Sequence, residues 1–397
     1  MSDPGVVIVG GGLAGQRCAE TLRRRGFDGP VRIVCAEAEP PYDRPPLSKG
    51  VLAGTVEEGA TGFRPGEWYA EHGVELLLGV RAEQLRPDSR RVGLAGGEEL
   101  PYGKLLIATG GAPRRLPSLD GFENVHCLRS RADARRLRAE LAAGVRLAIV
   151  GAGFIGQEVA ATALGLGVEV TMIEALETPL APILGAELGG WFAELHRGQG
   201  VRLLTGAIVQ RALGGERVER LLLADGSGVD CDLVLVGIGT LPATAWLAGS
   251  GLGTAGVEVD VAGRTDLPDV FAAGDAAIQF DHRFGAHART EHWDAAAWQG
   301  TAAAKMMLGE NPGLPPLPSF WSDQYGVRIQ CVGHPHHGES VALEGDPAGR
   351  DFEAVFVRGG APIAGMTVGR PRSIPALRKR IEAGHQSGSL EEEEVPA

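Results

Sequence analysis

Residues 6–15 read VVIVGGGLAG, and residues 147–156 read LAIVGAGFIG. Each stretch is an apolar strand that runs into a G-x-G-x-x-G turn and the small residues that open a helix. Each is followed by a second apolar strand closed by an acid: VRIVCAE ends at Glu37, and VEVTMIE ends at Glu174. A lone glycine turn of this kind is weak evidence, because glycines punctuate many turns. Two of them in the same strand–turn–helix–strand–acid frame, with the acid about 20 residues on, read as dinucleotide-binding fingerprints. The predicted fold class is α/β, with two Rossmann-like nucleotide-binding domains on one chain. Two such sites imply electrons passing between two dinucleotides.

In the first turn Gly10 permits the tight bend and Gly12 lets backbone approach a pyrophosphate. Gly15 allows helix and strand to pack closely, and Leu13 and Ala14 open the helix. The helix N-terminus offers unpaired N–H groups and a positive dipole to phosphates, and Glu37 can accept from a ribose diol. Gly11 is not required by this pattern. The second site repeats it with Gly151, Gly153, Ile155, Gly156 and Glu174. An acid at 174, with no cation in ALE at 175–177, favours NADH over NADPH.

The repeat has matching ends as well as matching starts. The first unit closes with LPYGKLLIATGGAP, which carries Thr109 and Gly110, and the second with CDLVLVGIGTLP, which carries Gly239. Between Glu37 and that first closing strand lies EPPYDRPPLSKG, whose prolines exclude a helix or a central strand and predict a loop. Residues 241–315 supply a strand ending in Gly274-Asp275 and the helical stretch EHWDAAAWQGTAAAKMML. The proline-rich NPGLPPLPSF marks a boundary. From Trp321 onward RIQCVG, SVALEG, EAVFVRGG and PIAGMTVG read as four short strands, followed by a helix in SIPALRKRIEAG. The expected division is therefore residues 1–112 with 241–315, residues 113–240, and a small α+β domain over 316–397. The last of these ends in a disordered acidic tail containing Glu391–Glu394.

The chain has 397 residues with a formal net charge of −12 and a pI near 5.4. That acidity argues against nucleic-acid binding. No apolar run approaches the ~18 residues of a membrane span, and MSDPG leads directly into the first strand. A soluble, cytoplasmic protein is the expectation. The five cysteines (Cys18, Cys35, Cys127, Cys231 and Cys331) form no C-x-x-C pair and no zinc spacing. Cys18 and Cys35 read as small core residues. His334, His336 and His337 in GHPHHG read as turn or surface residues, and no metal is expected.

The whole chain resembles the FAD-dependent, NADH-using ferredoxin reductases of bacterial oxygenase systems, with apoptosis-inducing factor as a distant relative. The resemblance rests on PPYDRPPLSKG, VGAGFIGQE, DVFAAGDAA, EHWDAAAWQG and FWSDQYG. It implies a glutathione-reductase-like pair of nucleotide domains plus a C-terminal interface domain, with FAD at the first fingerprint and NADH at the second. Arg44, Lys49 and Arg129 match FAD-contacting positions, and Asp275 matches an acid that accepts from FAD hydroxyls. Glu158 is implied to stand beside Lys49 near flavin N5, where hydride arrives. Trp293, in the Glu291-His292-Trp293 segment, and Trp321 are implied to line the flavin and the partner face.

The implied reaction is reduction of FAD by NADH, followed by single-electron delivery to a 2Fe–2S ferredoxin that serves a P450 or a dioxygenase. Rubredoxin is a chemically equivalent acceptor, and a monomer or weak dimer is expected. A thiol-based reductase is disfavoured because Pro45–Ser48 holds no cysteine; an oxygen- or quinone-reducing enzyme and a non-enzymatic redox-signalling protein are further alternatives. Arg370, Arg372, Arg378, Lys379 and Arg380, with Arg283 and Arg289, are the expected docking cations. One departure is Pro242-Ala243, where relatives often carry Pro-Asn.

Overall fold

The computed structural model describes residues 4–388, so the Glu391–Glu394 tail lies outside the described residues. The chain divides into two compact units. One comprises residues 1–43, 59–112 and 241–319; the other comprises 44–58, 113–240 and the chain from 320 onward.

The first unit is built on a five-stranded sheet ordered Val270–Ala272, Lys104–Ile107, Val6–Val9, Val31–Cys35, Val74–Leu78. All four neighbour pairs are parallel. The second unit holds a sheet ordered Val125–His126, Leu233–Val236, Arg146–Val150, Glu169–Ile173, Arg202–Leu204, again wholly parallel. In both, the fingerprint strand is central and the acid-ended strand lies beside it. Strand order reverses at the fingerprint strand, the place where open α/β sheets bind ligands.

The duplication extends further than the sequence pattern reaches. A three-stranded antiparallel meander precedes the closing strand in each unit: Ala82–Arg86, Arg91–Leu94 and Glu99–Pro101 in the first, and Val209–Gly214, Val218–Leu223 and Gly228–Asp230 in the second. Alternating residues of each parallel sheet face different layers. Ile8, Ile33 and Leu106 pack against Cys18, Leu22 and Ala303 of the helices, while Val7, Val34 and Leu105 pack against Leu85 and Val92 of the meander. The second sheet repeats this, with Ile149 and Leu235 toward Val159 and Ala163, and Ala148 and Val234 toward Leu221 and Leu223. Burial on both faces explains why these strands read as unbroken apolar runs.

The chain from 320 onward forms a five-stranded sheet in the order Ser319–Gln324, Val327–Gly333, Ala361–Val368, Asp351–Arg358, Ser340–Asp346, covered by helix Ile374–Gly388. Gly365 lets Leu377 of that helix lie directly on the sheet. Four of these strands follow the sequence reading; the first, Ser319–Gln324, does not. Its preceding prolines masked a strand in which Ser322 and Gln324 point to one buried side. The other face of this sheet meets helix Ala181–Gly198, where Leu188 and Phe192 pack on Ile329, Phe352 and Met366.

The loop expected at 44–50 is also corrected. Pro45–Ser48 forms a 3₁₀ turn with proline at its first positions, and Gly50–Ala53 forms a short helix. Proline is tolerated there because the N–H groups of a first turn have no intrahelical partner.

Candidate active site

The two fingerprint turns owe their shape to the same contacts. Gly10 and Gly151 adopt φ of +121° and +99°, and a side chain on either would collide with the carbonyl of Ala108 or Gly237 at the end of the neighbouring strand. Gly15 and Gly156 let each helix pass over the carbonyl of that first glycine, beside Ile8 or Ile149. Gly11, set aside above, is in fact constrained: a Cβ there would run into Cys35 Sγ. Around Gly12 and Gly153, by contrast, a Cβ would meet no atom of the described residues within 4 Å. The middle glycines leave open space of the kind a pyrophosphate needs.

Helix termini support the same conclusion. Helix Arg131–Glu140 starts with a capping box, Ser130 Oγ accepting from the Asp133 N–H. The fingerprint helices, Leu13–Arg24 and Phe154–Gly165, start at Gly12 and Gly153 with no side-chain cap. Their first N–H groups are thus left for an anion. Beside the first turn, Thr109 Oγ1 is buried with no hydrogen-bond partner among the described residues. Gly274 opens the Gly274–Ala276 turn that carries Asp275, and a Cβ at Gly274 would meet Ala14 Cβ at 3.4 Å, so the turn runs close to the start of the first fingerprint helix. An uncapped helix, open space and an orphan hydroxyl in one unit fit a resident FAD.

Glu37 and Glu174 lie just past the ends of their strands, two residues beyond Cys35 and one beyond Ile173, and are held differently. Glu37 Oε2 accepts from the Tyr42 hydroxyl at 2.5 Å. Glu174 accepts from the Ala152 N–H at 2.7 Å and from the Leu176 N–H at 2.9 Å, one on each carboxylate oxygen. Gly110 and Gly239 occupy matching positions after the closing strands, both with positive φ.

Lys49 and Glu158, 109 positions apart, meet in the second unit as an ion pair of 2.6 Å. Glu158 lies just beyond the first turn of its helix and is 3% exposed. Its Oε2 also accepts from Ser48 Oγ at 2.5 Å, and its Oε1 from Ser322 Oγ at 2.7 Å. Three donors thus converge on one buried carboxylate. The serines were missed in the sequence reading, although FWSDQYG contains Ser322; the alternation that aims Ser322 and Gln324 the same way was the available signal. Arg44 Nη1 donates to the Arg129 carbonyl at 2.5 Å, joining two further expected residues in this unit.

In the first unit Trp293, with His292 as N-cap and Glu291 before it, opens helix Trp293–Met307. Its Nε1 donates to Asp43 Oδ1 at 2.8 Å, and Arg17 lies 5.8 Å from its ring centre. Glu291 pairs with Arg289 at 2.5 Å. Trp321, on strand Ser319–Gln324, is half-buried in the second unit. Three of the expected docking cations have partners within the chain: Arg289 pairs with Glu291, Arg283 is largely buried and donates to the Pro315 carbonyl at 2.5 Å, and Arg370 pairs with Asp351 at 2.5 Å. Cys18 and Cys35 are core residues, and burial raises both thiols, Cys35 to about 12. His334 is buried at the edge of a 3₁₀ turn, Pro335–His337, and no group of His, Cys, Asp or Glu among the described residues is arranged to hold a metal ion. Among the described residues no helix is long and apolar enough to cross a membrane.

Two uncapped, acid-terminated dinucleotide turns in duplicate parallel sheets define an oxidoreductase that works between two dinucleotides. Comparison with known proteins agrees. Residues 4–300 match the pyridine nucleotide-disulphide oxidoreductase family, and residues 319–392 match a reductase C-terminal domain. The chain is 40% identical over 385 residues to the 5,5'-dehydrodivanillate O-demethylase ferredoxin reductase subunit of Sphingobium sp., covering 95% of this chain and 93% of that protein. It is 39% identical to the ferredoxin–NAD(+) reductase component of the anthranilate 1,2-dioxygenase system of Burkholderia cepacia, covering 97% and 95%. Putidaredoxin reductase, solved in covalent complex with putidaredoxin, superposes with a TM-score of 0.92 at 32% identity over 96% of this chain and 94% of that one. The chain belongs to the pyridine nucleotide-disulphide oxidoreductase family, among its FAD-dependent NADH:ferredoxin reductases.

Proposed function

We propose that this chain oxidises NADH and passes the electrons one at a time, through FAD, to a 2Fe–2S ferredoxin that serves an oxygenase. The observation that carries this is the duplicated fingerprint, one uncapped and open turn per unit, in a family whose members use FAD and NADH. Bound FAD supplies the exchange between a two-electron donor and a one-electron acceptor. The chain's own residues do the rest. Gly10, Gly12, Gly15 and Glu37 hold the FAD adenosine and pyrophosphate, with Thr109, Gly274 and Asp275 beside them. Gly151, Gly153, Gly156 and Glu174 hold NADH, the carboxylate rejecting a 2′-phosphate.

Lys49 and Glu158 form the redox pair in this reading. The ammonium would favour the negative charge that a bound flavin takes on when reduced, and the buried carboxylate keeps the ammonium in place. The division at 1–112 with 241–315 for FAD, 113–240 for NADH and 316–397 for the partner belongs to the same proposal, as does a monomer or weak dimer. Arg372, Lys379 and Arg380, exposed at the start of the last helix and along it, remain the cations proposed to meet an acidic partner. Stopped-flow mixing with NADH, then with a ferredoxin or a rubredoxin, tests the whole sequence. Rapid flavin bleaching followed by ferredoxin-dependent recolouring is expected. Bleaching without any transfer to either acceptor removes the proposal.

A further inference from the structure

A single backbone carbonyl in the second fingerprint turn sets the direction of a buried hydrogen-bond chain. The Ala152 carbonyl can only accept, so Gln157 turns its Nε2 toward it, at 2.9 Å, and its Oε1 away. Gln324 Nε2 donates to that Oε1 at 3.3 Å and to Ser322 Oγ at 3.1 Å. Gln324 Oε1 is then the atom that faces His196, whose Nε2 lies 3.1 Å away and must carry the proton. A neutral imidazole protonated at Nε2 has a bare Nδ1, which accepts from the Tyr325 hydroxyl at 2.6 Å. Ser322, already accepting from Gln324, turns its own proton onto Glu158 Oε1 at 2.7 Å. Gln157, Glu158, His196, Ser322 and Gln324 are all buried, where water does not compete and an unmade bond is costly.

We propose that Ser322, Gln324 and His196 are positioning residues that fix the Glu158 carboxylate, and through it the Lys49 ammonium, for hydride transfer from NADH. This rests on the reading of Lys49 and Glu158 as the redox pair. Ser48 and Lys49 both act on Oε2, so Ser322 is the donor that stops the carboxylate from rotating about its last bond. Gln324 holds that hydroxyl in its donating direction. His196, on helix Ala181–Gly198, holds Gln324 in turn. None of the three touches a reacting atom.

The first test reads the chain itself, in the FAD-loaded protein with ¹⁵N-labelled histidine. At neutral pH the His196 ring is expected as the Nε2–H tautomer, and Tyr325→Phe should shift the Nδ1 resonance while leaving Nε2 protonated. An Nδ1–H tautomer would break the direction of the chain and overturn the proposal. The second test reads its consequence. Ser322→Ala is expected to slow flavin reduction by NADH about tenfold with the NADH dissociation constant unchanged, and Ser322→Thr, which keeps the hydroxyl, to restore it. An unchanged rate in Ser322→Ala overturns the positioning role even when the tautomer is as expected. If Lys49→Ala also leaves the rate unchanged, the reading of the redox pair has failed; if Lys49→Ala slows it, only the positioning inference has.

Discussion

The two fingerprint helices are the same device up to their shared glutamine and different devices after it. Gln16 and Gln157 follow the third glycine in each copy, and both are fully buried. The next residue is Arg17 in the first helix and Glu158 in the second. Arg17 pairs locally with Glu20 at 2.8 Å, three residues on. Glu158 instead gathers Lys49, Ser48 and Ser322 from distant parts of the chain. The glutamines are anchored differently as well: Gln16 donates to Glu20 and accepts from Tyr69, whereas Gln157 is tied to its own turn and to Gln324. A duplicated frame supplies two nucleotide sites. A charge reversal at one helical position is where the proposed roles of holding and exchanging part company.

Filling the open middle glycines should separate the two sites most sharply. In both Gly12→Val and Gly153→Val the new Cβ meets no atom of the described residues within 4 Å, so the fold is expected to be retained, as circular dichroism would check, while the ligand's space is not. Gly12→Val is expected to purify without flavin. Gly153→Val should keep its flavin and raise KM for NADH by about tenfold or more. Visible absorbance and steady-state kinetics decide, and flavin loss from Gly153→Val instead would reverse the assignment.

The charged position after the glutamine comes next. Lys49→Ala leaves Glu158 buried with only hydroxyl donors, so flavin reduction by NADH should slow about 100-fold. Unfolding free energy should fall by about 3 kcal/mol, the usual cost of stranding a buried charge. Arg17→Ala, at the position equivalent to Glu158, should change that rate by less than about twofold, because its ion pair is short-range and partly exposed. Equal effects from the two variants would show that the reversal is incidental.

The frame was legible in sequence because its causes are local. Positive-φ glycines, apolar strands and strand-ending acids are written in consecutive residues. The meanders were not, since Ala82–Arg86 is mostly exposed and polar and Val209–Gly214 is mostly exposed with weak alternation. Nor was the setting of Glu158, whose donors Ser48 and Ser322 lie 110 and 164 positions away in sequence. Only the fold brings them together. Lys49 and Glu158 were matched through resemblance, and the residues that hold them required side-chain geometry.

Coenzyme choice should expose a milder asymmetry. Glu174→Ala removes the carboxylate that closes the second turn, and the ratio of kcat/KM for NADH over NADPH should fall about tenfold. Glu37→Ala, at the matching strand end, should leave that ratio unchanged. A ratio that responds to Glu37 and not to Glu174 would exchange the two sites.

The smallest expected effect concerns acid. Gln16 is anchored by a neutral tyrosine, whereas Gln157 is anchored, through Gln324, by a histidine. Burial pushes His196 down to about 4, against the opposing pull of its Gln324 contact. Well above pH 6.5 the ring is neutral in both folded and unfolded chains and contributes no pH dependence. Between pH 6.5 and about 4 the unfolded chain binds a proton that the folded one refuses, so stability falls as pH falls. At pH 5.5 that loss is about 1.4 kcal/mol from this group. His196→Gln, which cannot titrate, should lower stability at neutral pH but flatten its decline between pH 7 and pH 5. Urea unfolding of both proteins at the two pH values measures the difference. Parallel declines would mean that His196 takes up its proton as readily in the fold as in the unfolded chain, and that burial does not hold the ring neutral between pH 7 and pH 5.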